Sequence, residues 1–284
     1  MKIGLVTDST SDLPGALVEQ HELEVIPCIL VLDGKEYLDG IDITREEFYR
    51  QLSTRPASTP MTTAAPSIGE FAARYNTLLS RGCDHIISIH AAGALTSIID
   101  SARQAARDFN DRITVVDSTS LTLGLGFQVL AAAEAADLGL QAALDAIDST
   151  RRRLDIYAAL STMENLKRSG RVPGVVAALG SLLSIKPLIR LKDNDVKAIS
   201  AVRTTSQGTE KILDLLLQQG NLERLAILHT GVESRAKELL NAVMQKASQS
   251  IPRDILMVNV TTVIGTHVGP NGLGFAAIRS ARSS

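Results

Sequence analysis

Short apolar runs that alternate with helix-length segments most strongly constrain the fold of this chain. Lys2–Val6, His85–Ile89 and Ile113–Val116 are rich in isoleucine or valine, and a segment with a helical pattern follows each of them. Strands that alternate with helices in this way form parallel sheets with both faces covered. We therefore predict an α/β fold for the first half, with a mostly parallel sheet flanked by helices.

Three further segments of the first half carry local signals. Leu23–Leu32 is typical of one extended segment, and Gly124–Ala136 has the alanine-rich pattern of a long helix. Ser67 and Glu70 have the spacing of a capping box, which predicts a helix over about 68–80.

The pattern changes after Ile156, where strands and helices no longer alternate regularly. This mixture predicts a second domain of the α+β type. At 284 residues the chain is long enough for two domains. We expect an N-terminal α/β domain over 1–155 and a C-terminal α+β domain over 156–284, with a ligand cleft between them. The extended segments predicted in the second domain are Tyr157–Ser161, a hairpin over Pro187–Arg203 that turns at Asp193–Asp195, Arg224–Leu228, Ile255–Ile264 and Leu273–Arg279.

Composition argues against nucleic acid as a partner. The net charge is −2, so the chain has no broad basic field. Aromatic residues make up 3% and tryptophan is absent, which leaves few rings on which bases could stack. The same scarcity predicts an interior built from leucine, isoleucine, valine and alanine.

Two cysteines, Cys28 and Cys83, are the whole complement of the chain. They are too few for a disulfide scaffold and have no metal-binding spacing, so we expect buried free thiols, no metal and no cofactor. The sequence has no apolar run of roughly 18 residues and no signal-peptide pattern. We therefore expect a cytoplasmic protein.

A glycine-dense segment with one histidine, Gly265–Gly274, lies between two apolar runs near the C-terminus. Glycine amides can gather around an anion, and His267 would add an imidazole beside them. The alternative is a plain glycine-rich β-turn with a solvated histidine. The segment alone does not decide between the two.

Five ordered segments together resemble the DegV family of fatty-acid-binding proteins, from Met1 to Ile278. They are Thr7–Leu13; Thr63–Ser67; Val116–Ser118 with Gly124–Gly126; Ser169–Arg171 with Leu182–Leu188; and Ile264–Pro270. The resemblance implies a non-enzymatic carrier that buries one long-chain acyl tail in a tunnel between its domains. It further implies that the carrier presents the carboxylate to a separate ATP-dependent fatty acid kinase, with possible transient contact with a membrane.

The resemblance also implies residues for the carboxylate site. Thr63 matches the threonine that opens the family's Thr-Ser-Gln-Pro-Ser motif, and His267 matches the histidine of its Gly-Thr-His-x-Gly-Pro motif. The family's third contact is a serine loop, and here Ala92 and Gly93 stand in place of the serines. We expect Gly93 to contribute a backbone amide instead, at the start of a helix that begins near Leu95.

Two alternative explanations remain for the loss of the family's serines at Ala92 and Gly93. The pocket could be adapted to a larger or less polar head group, or the loop could be an ordinary helix start made of small residues. The residues expected around the pocket mouth are Thr62, Ala92, Ala94, Leu95, Gly265 and Thr266.

Arg171 and Arg203 match arginines of the family and are candidates for contact with the kinase or with phosphate. A guanidinium fork suits phosphate, although such arginines are also common in structural ion pairs. His90 and His229 each follow an apolar strand, and we interpret both as structural histidines at strand ends.

The competing function is a small-molecule hydrolase or transferase that uses His267 in the same cleft. Asp8, Ser9, Asp117 and Ser118 would supply acids and hydroxyls, but the chain lacks the Gly-x-Ser-x-Gly elbow of many hydrolases. A nucleotide-binding function has less support, because no phosphate-binding loop occurs and Gly124-Leu125-Gly126 lacks a third glycine.

Overall fold

The computed structural model describes residues 1–55, 60–180 and 185–281. The strands are β1 (Ile3–Asp8), β2 (Glu24–Ile26), β3 (Ile29–Leu32), β4 (Lys35–Leu38), β5 (Met61–Ala64), β6 (His85–His90), β7 (Ile113–Asp117), β8 (Leu154–Ala159), β9 (Lys186–Lys192), β10 (Asp195–Val202), β11 (Leu222–His229), β12 (Ile255–Asn259) and β13 (Leu273–Arg279). The α-helices are α1 (Gly15–Gln20), α2 (Arg45–Thr54), α3 (Ile68–Ser80), α4 (Ile98–Ala106), α5 (Thr122–Ala135), α6 (Leu140–Arg153), α7 (Glu164–Ser169), α8 (Pro173–Leu179), α9 (Thr205–Leu217), α10 (Glu233–Ala247) and α11 (Thr262–Val268). Short 3-10 helices cover Ser9–Ser11, Arg107–Phe109 and Ala136–Leu138.

Four parallel strands form the first sheet, in the order β2-β1-β6-β7. Leu5 of β1 lies opposite Ile87 of β6, and both side chains are buried in the main hydrophobic core. Helices α3, α4 and α5 pack against this sheet. The predicted α/β arrangement, a parallel sheet flanked by helices, is confirmed.

Six strands form the second sheet, in the order β10-β9-β8-β13-β11-β12, and only β11 and β12 pair in parallel. Helices α9 and α10 cover one face around a core that includes Ile227 and Phe275. Leu228 and Ala276 join the core that the second sheet shares with the first. The predicted β9–β10 hairpin is present, and its turn places Asp193 and Asn194 at positive φ. The division into domains at 155 and 156 stays a prediction; strand β8 begins at Leu154.

A third, small sheet was not predicted. Its order is β4-β3-β5, and α2 packs beside it around Leu30 and Phe48. The expected single extended segment over 23–32 is wrong, because the chain leaves the parallel sheet after β2 and enters the small sheet at β3. Pro27 stands at this break, where it has no amide hydrogen with which to continue a ladder.

Helix α5 carries two glycines that allow close packing against both halves. A Cβ atom at Gly126 would lie 2.6 Å from the Ser11 carbonyl oxygen. A Cβ atom at Gly124 would lie 2.4 Å from the Ile156 side chain of β8. The two glycines therefore have a packing role in a helix, and they do not form a phosphate-binding turn.

The glycine-dense C-terminal segment differs from its prediction. Strand β12 ends at Asn259. Helix α11 follows it and covers residues that were predicted to form the end of a strand and the start of a turn. His267 is therefore in the last turn of a helix. The actual turn begins at Gly269, which has a φ of +81°. A distant aspartate accepts from the first amide of this helix, as described below.

Candidate functional site

An apolar cavity lies between the two large sheets. Its volume is about 170 Å³, roughly ten times the space that a single water requires. Aliphatic side chains from both halves of the chain form most of the wall. Among them are Leu95, Ile98, Leu121, Ile156, Leu191 and Val263.

Thr63 and His267 meet at this wall. The Thr63 hydroxyl oxygen and the His267 Nε2 atom lie 2.9 Å apart, within hydrogen-bond distance. Thr63 belongs to β5 of the small sheet, and His267 belongs to α11, which follows β12 of the second sheet. The contact therefore joins residues 204 positions apart in the sequence.

His267 is neutral at ordinary pH. Burial lowers the pKa of its imidazole to about 4, and the charge of nearby Arg171 acts in the same direction. A neutral imidazole has one N–H donor and one acceptor nitrogen. Thr63 and His267 together can thus offer a donor to an oxygen atom without a fixed positive charge of their own.

Arg171 also lines the cavity and supplies the cation that His267 lacks. Gly170, with a φ of +61°, ends α7 and turns the chain towards Arg171. The Arg171 amide donates to the Ser169 hydroxyl at 3.3 Å, which holds the backbone of this turn. The Arg171 residue is exposed, so its charge is accessible from solvent as well as from the cavity.

Several predicted site residues do not form part of the cavity wall among the described residues. Gly93 and Ala92 are engaged within the protein, since the Gly93 amide donates to the Asp117 carboxylate at 3.2 Å and the Ala92 amide donates to the Ser120 carbonyl at 2.9 Å. The expected free amides are therefore absent at these two positions. Helix α4 begins at Ile98 and not near Leu95, so its N-terminus is displaced from the predicted place.

The remaining predicted residues have other surroundings. Gly265 faces Tyr49, whose hydroxyl would lie 2.3 Å from a Cβ atom at that position. The Thr266 hydroxyl donates to the Thr262 carbonyl at 2.9 Å. Thr62, Ala94 and Arg203 are exposed and do not line the cavity. Of the predicted family segment Leu182–Leu188, residues 182–184 lie outside the described residues.

Helix α11 is held at both ends by side chains from distant parts of the chain. Asp39, which follows β4, accepts from the Thr262 amide at 3.2 Å and from both the Thr261 and Thr262 hydroxyls. Asn165 of α7 donates to the Thr266 carbonyl at 3.1 Å. These contacts fix the helix that carries His267, and no local sequence signal points to Asp39.

Further polar residues that sequence reasoning missed line the cavity, namely Thr10, Thr96, Thr122, Ser169, His229 and Thr230. His229 had been assigned to a structural role, and its Nδ1 atom does accept from the Val232 amide at 3.3 Å. The threonines share no spacing or motif, because the fold brings them together from four separate loops and helices.

A buried polar chain lies beside β1 and β6. His90 Nδ1 is 2.9 Å from the Asp8 carboxylate, and His90 Nε2 is 2.6 Å from the Ser88 hydroxyl. This order resembles a catalytic triad, but Ser88, His90 and Asp8 are each fully buried and none lines the cavity. His90 is a satisfied core histidine, as predicted.

His267 has no carboxylate partner among the described residues, so the geometry gives little support to the hydrolase alternative.

Among the described residues, no group of three or more His, Cys, Asp or Glu side chains could hold a metal ion. None of the described helices has both the length and the apolar character of a membrane span. Cys28 and Cys83 are buried and unpaired.

The fold and the site define an α/β protein with two large sheets, an aliphatic cavity between them and a neutral histidine in the cavity wall. A sequence model of the DegV family, described as an uncharacterised protein, matches residues 2–280. The chain belongs to the DegV family.

Relatives of this family resemble the chain over nearly its whole length. A DegV domain-containing protein of Deinococcus radiodurans is 32% identical over 284 residues, which cover 97% of this chain and 98% of the relative. A structure showing fatty acid binding by a DegV family protein from Thermus thermophilus is 35% identical, with a TM-score of 0.89 over 99% of this chain and 100% of the other. DegV from Bacillus subtilis, a fatty-acid-binding protein, is 28% identical, with a TM-score of 0.85 over 98% and 100%.

Proposed function

We propose that this protein binds one long-chain fatty acid, with the tail in the cavity and the carboxylate at Thr63 and His267. The observation that carries the proposal is an aliphatic cavity wall with a neutral threonine–histidine pair next to a cation. Burial of each methylene contributes about 0.8 kcal/mol, so a chain of about sixteen carbons gains on the order of 10 kcal/mol. The tail therefore supplies most of the affinity.

The head-group residues set the orientation of the ligand. The hydrogen-bonded pair of Thr63 and His267 can donate one further hydrogen bond to a carboxylate oxygen, and Arg171 offsets the charge of the carboxylate. A hydrogen bond to a charged group contributes about 1.5–3 kcal/mol, which is well below the contribution of the tail. Gly93 has no part in this arrangement because its amide already donates to Asp117.

The relatives support the same ligand class. Fatty acid binding is stated for the proteins from Thermus thermophilus and Bacillus subtilis, which are 35% and 28% identical to this chain. Both cover the chain almost completely, so the cavity falls within the shared region.

We further propose that the bound carboxylate is presented to a separate ATP-dependent fatty acid kinase. The protein would then act as a carrier in the cytoplasm without turnover of its own, and would meet a membrane only transiently. In this proposal the domains are 1–155 and 156–284, and the fatty acid lies between them. Arg171 contacts the carboxylate or the acyl phosphate, whereas Arg203 belongs to a docking surface away from the cavity.

Mass spectrometry of the purified protein tests the ligand. Under native conditions we expect one bound fatty acid per chain, and under denaturing conditions the chain alone. After lipid extraction, added stearic acid should restore the heavier species. Retention of a neutral lipid, with no uptake of stearic acid, would contradict the proposal.

Two arginine variants test the presentation step. With a fatty acid kinase and ATP, Arg171→Ala and Arg203→Ala should both lower formation of acyl phosphate. Only Arg171→Ala should also weaken fatty acid binding, because only Arg171 lines the cavity. Unchanged rates in both variants would remove the two arginines from the proposal, whereas no acyl phosphate with the wild type would remove the kinase and leave fatty acid binding untouched.

A further inference from the structure

A second pocket, with a polar wall, adjoins the apolar cavity at the end of β11. The volume of this polar pocket is about 480 Å³, roughly thirty times the space that a single water requires. His229 and Thr230 line both the polar pocket and the apolar cavity. The two spaces therefore meet at these residues, and a ligand that extends from one space into the other would contact both side chains.

The charges of the polar pocket disfavour an anion. Glu46 of α2 and Glu233 at the start of α10 line it, and both are exposed. Lys237 pairs with Glu233 at 2.7 Å from outside the wall, and the guanidinium of Arg50, which does line the pocket, donates to the Glu47 carboxylate at 3.1 Å. Carboxylates accept hydrogen bonds and repel other negative charges. Hydroxyl groups therefore fit this pocket better than a carboxylate or a phosphate does.

His229 supplies a hydrogen-bond donor where the two spaces meet. The residue is 5% exposed, and its Nδ1 atom accepts from the Val232 amide at 3.3 Å. Because Nδ1 accepts, the proton of the neutral ring is on Nε2. Burial lowers the pKa of His229 and keeps the ring neutral, although the charges of Glu233 and Glu46 act in the opposite direction. Nε2 has no hydrogen-bond partner among the described residues, so its N–H is left for an acceptor on a ligand.

Thr230 supplies a second donor beside His229. Its Oγ1 atom accepts from the Gly272 amide at 2.6 Å, and its own proton has no acceptor in the part of the chain that the structure describes. Two neighbouring donors suit one carbonyl oxygen, which has two lone pairs. An uncharged carbonyl fits better than a carboxylate, since Glu46 and Glu233 lie on the polar side of this junction.

We propose that this protein also binds neutral acyl esters of small polyols, such as a monoacylglycerol, with the tail in the apolar cavity, the ester carbonyl at His229 and Thr230, and the free hydroxyls in the polar pocket. An ester is the boundary between the apolar and polar parts of such a lipid, and these two residues are the boundary between the apolar and polar spaces. The inference rests on the proposed function for the position of the tail. The head groups differ, because the carboxylate of a fatty acid would lie at Thr63 and His267.

Displacement of a fluorescent fatty acid from the delipidated full-length protein tests the proposal. The ligands are 1-stearoylglycerol, methyl stearate, which has the ester but no hydroxyls, and stearic acid, which has the same tail with a charged head group. The proteins are the wild type, His229→Phe, Thr63→Val and a variant that combines Glu46→Gln with Glu233→Gln. Glu238→Gln is the control, because Glu238 is an exposed residue of α10 that lines neither space.

We expect 1-stearoylglycerol to bind the wild type about five- to tenfold more tightly than methyl stearate does. The variant of Glu46 and Glu233 should lose most of this difference, because a hydroxyl donates more strongly to a carboxylate than to an amide. Glu238→Gln should keep it. His229→Phe should weaken both esters by about three- to tenfold relative to stearic acid, whereas Thr63→Val should weaken stearic acid alone.

Equal binding of the two esters by the wild type, or an equal loss in Glu238→Gln, would overturn the inference. So would an unchanged ratio of ester to acid affinity in His229→Phe, or a loss of ester binding in Thr63→Val as large as that of stearic acid. If His229→Phe does not fold, the variant of the exposed Glu46 and Glu233 decides the question. Failure of stearic acid to displace the fluorescent fatty acid from the wild type would instead overturn the proposed function.

Discussion

At the scale of single residues, Thr63 tests how the head group is held. Loss of its hydroxyl removes one hydrogen bond to a carboxylate, so Thr63→Val should weaken fatty acid binding by roughly 10- to 100-fold without abolishing it. A titration with a fluorescent fatty acid measures the change. Thr62→Val is the matched control, because Thr62 is adjacent, exposed and absent from the cavity wall. Equal affinities in the wild type and Thr63→Val would contradict this assignment of the carboxylate.

His267 should make the protein sensitive to acid. Its pKa is lowered from 6.5 to about 4 in the folded state, so between these values the unfolded chain binds more protons than the folded one. The free energy of unfolding should therefore fall as the pH decreases from 6.5 towards 4, by up to about 3 kcal/mol from this group. Above pH 6.5 the group contributes no pH dependence.

Urea denaturation of the wild type and His267→Gln, near pH 7 and at about pH 4.5, isolates this contribution. Asp12 acts in the opposite direction, because its pKa is raised from 3.8 to about 6 in the folded state. Its contribution to the free energy of unfolding therefore decreases as the pH rises through that interval. Both proteins contain Asp12, so its contribution cancels in the difference between their free energies of unfolding. Identical pH dependence in both would show that His267 is not desolvated.

At the scale of elements, α11 depends on a side chain outside its own segment. Asp39→Ala leaves the Thr262 amide and two buried hydroxyls without their acceptor, so we expect a loss of about 2–4 kcal/mol in the free energy of unfolding. Fatty acid binding should weaken as well, since His267 is fixed by this helix. Asp42→Ala is the control, because among the described residues the Asp42 carboxylate accepts only from the exposed Leu38 amide. Similar losses in both variants would contradict the role of Asp39.

The same helix explains where sequence reasoning stopped. Val263 and Ile264 are β-branched and follow an apolar strand, so their local propensity favours a longer strand. The acceptor that permits a helix lies 223 residues away from Thr262, and no local pattern contains it. By contrast, β1, β6 and β7 were predicted because each is an apolar run whose own composition determines its state.

Some residues of the candidate site could likewise be predicted from the sequence, and others could not. Thr63 and His267 were recognised through the family resemblance, and the fold brings them together. The prediction of a free amide at Gly93 was wrong, because that amide donates to the Asp117 carboxylate at the end of β7. The free Nε2 donor of His229 could not be predicted, because the Val232 amide that fixes the position of the ring proton meets Nδ1 only in the folded chain.

At the scale of the whole molecule, one ligand would contact both halves of the chain. A ligand that binds only the folded state adds about 2.7 kcal/mol of stability at a free concentration of 100 times its dissociation constant. For a chain of 284 residues we expect the melting temperature of delipidated protein to rise by about 5 °C on addition of stearic acid. Butyric acid, which has the carboxylate but little tail, is the control. An equal rise of the melting temperature with butyric acid would show that the carboxylate, and not the tail, supplies most of the affinity.

The two anchors of α11 come from opposite halves, since Asp39 lies next to the small sheet and Asn165 lies in α7. A helix of seven residues frays within microseconds when it stands alone, and its amide hydrogens then exchange freely with solvent. We expect those hydrogens to be protected here until the contacts of Asp39 with Thr262 break. Deuterium uptake in α11 would therefore report the opening of the cavity between the two large sheets, and it would do so in protein that carries no label and no added ligand.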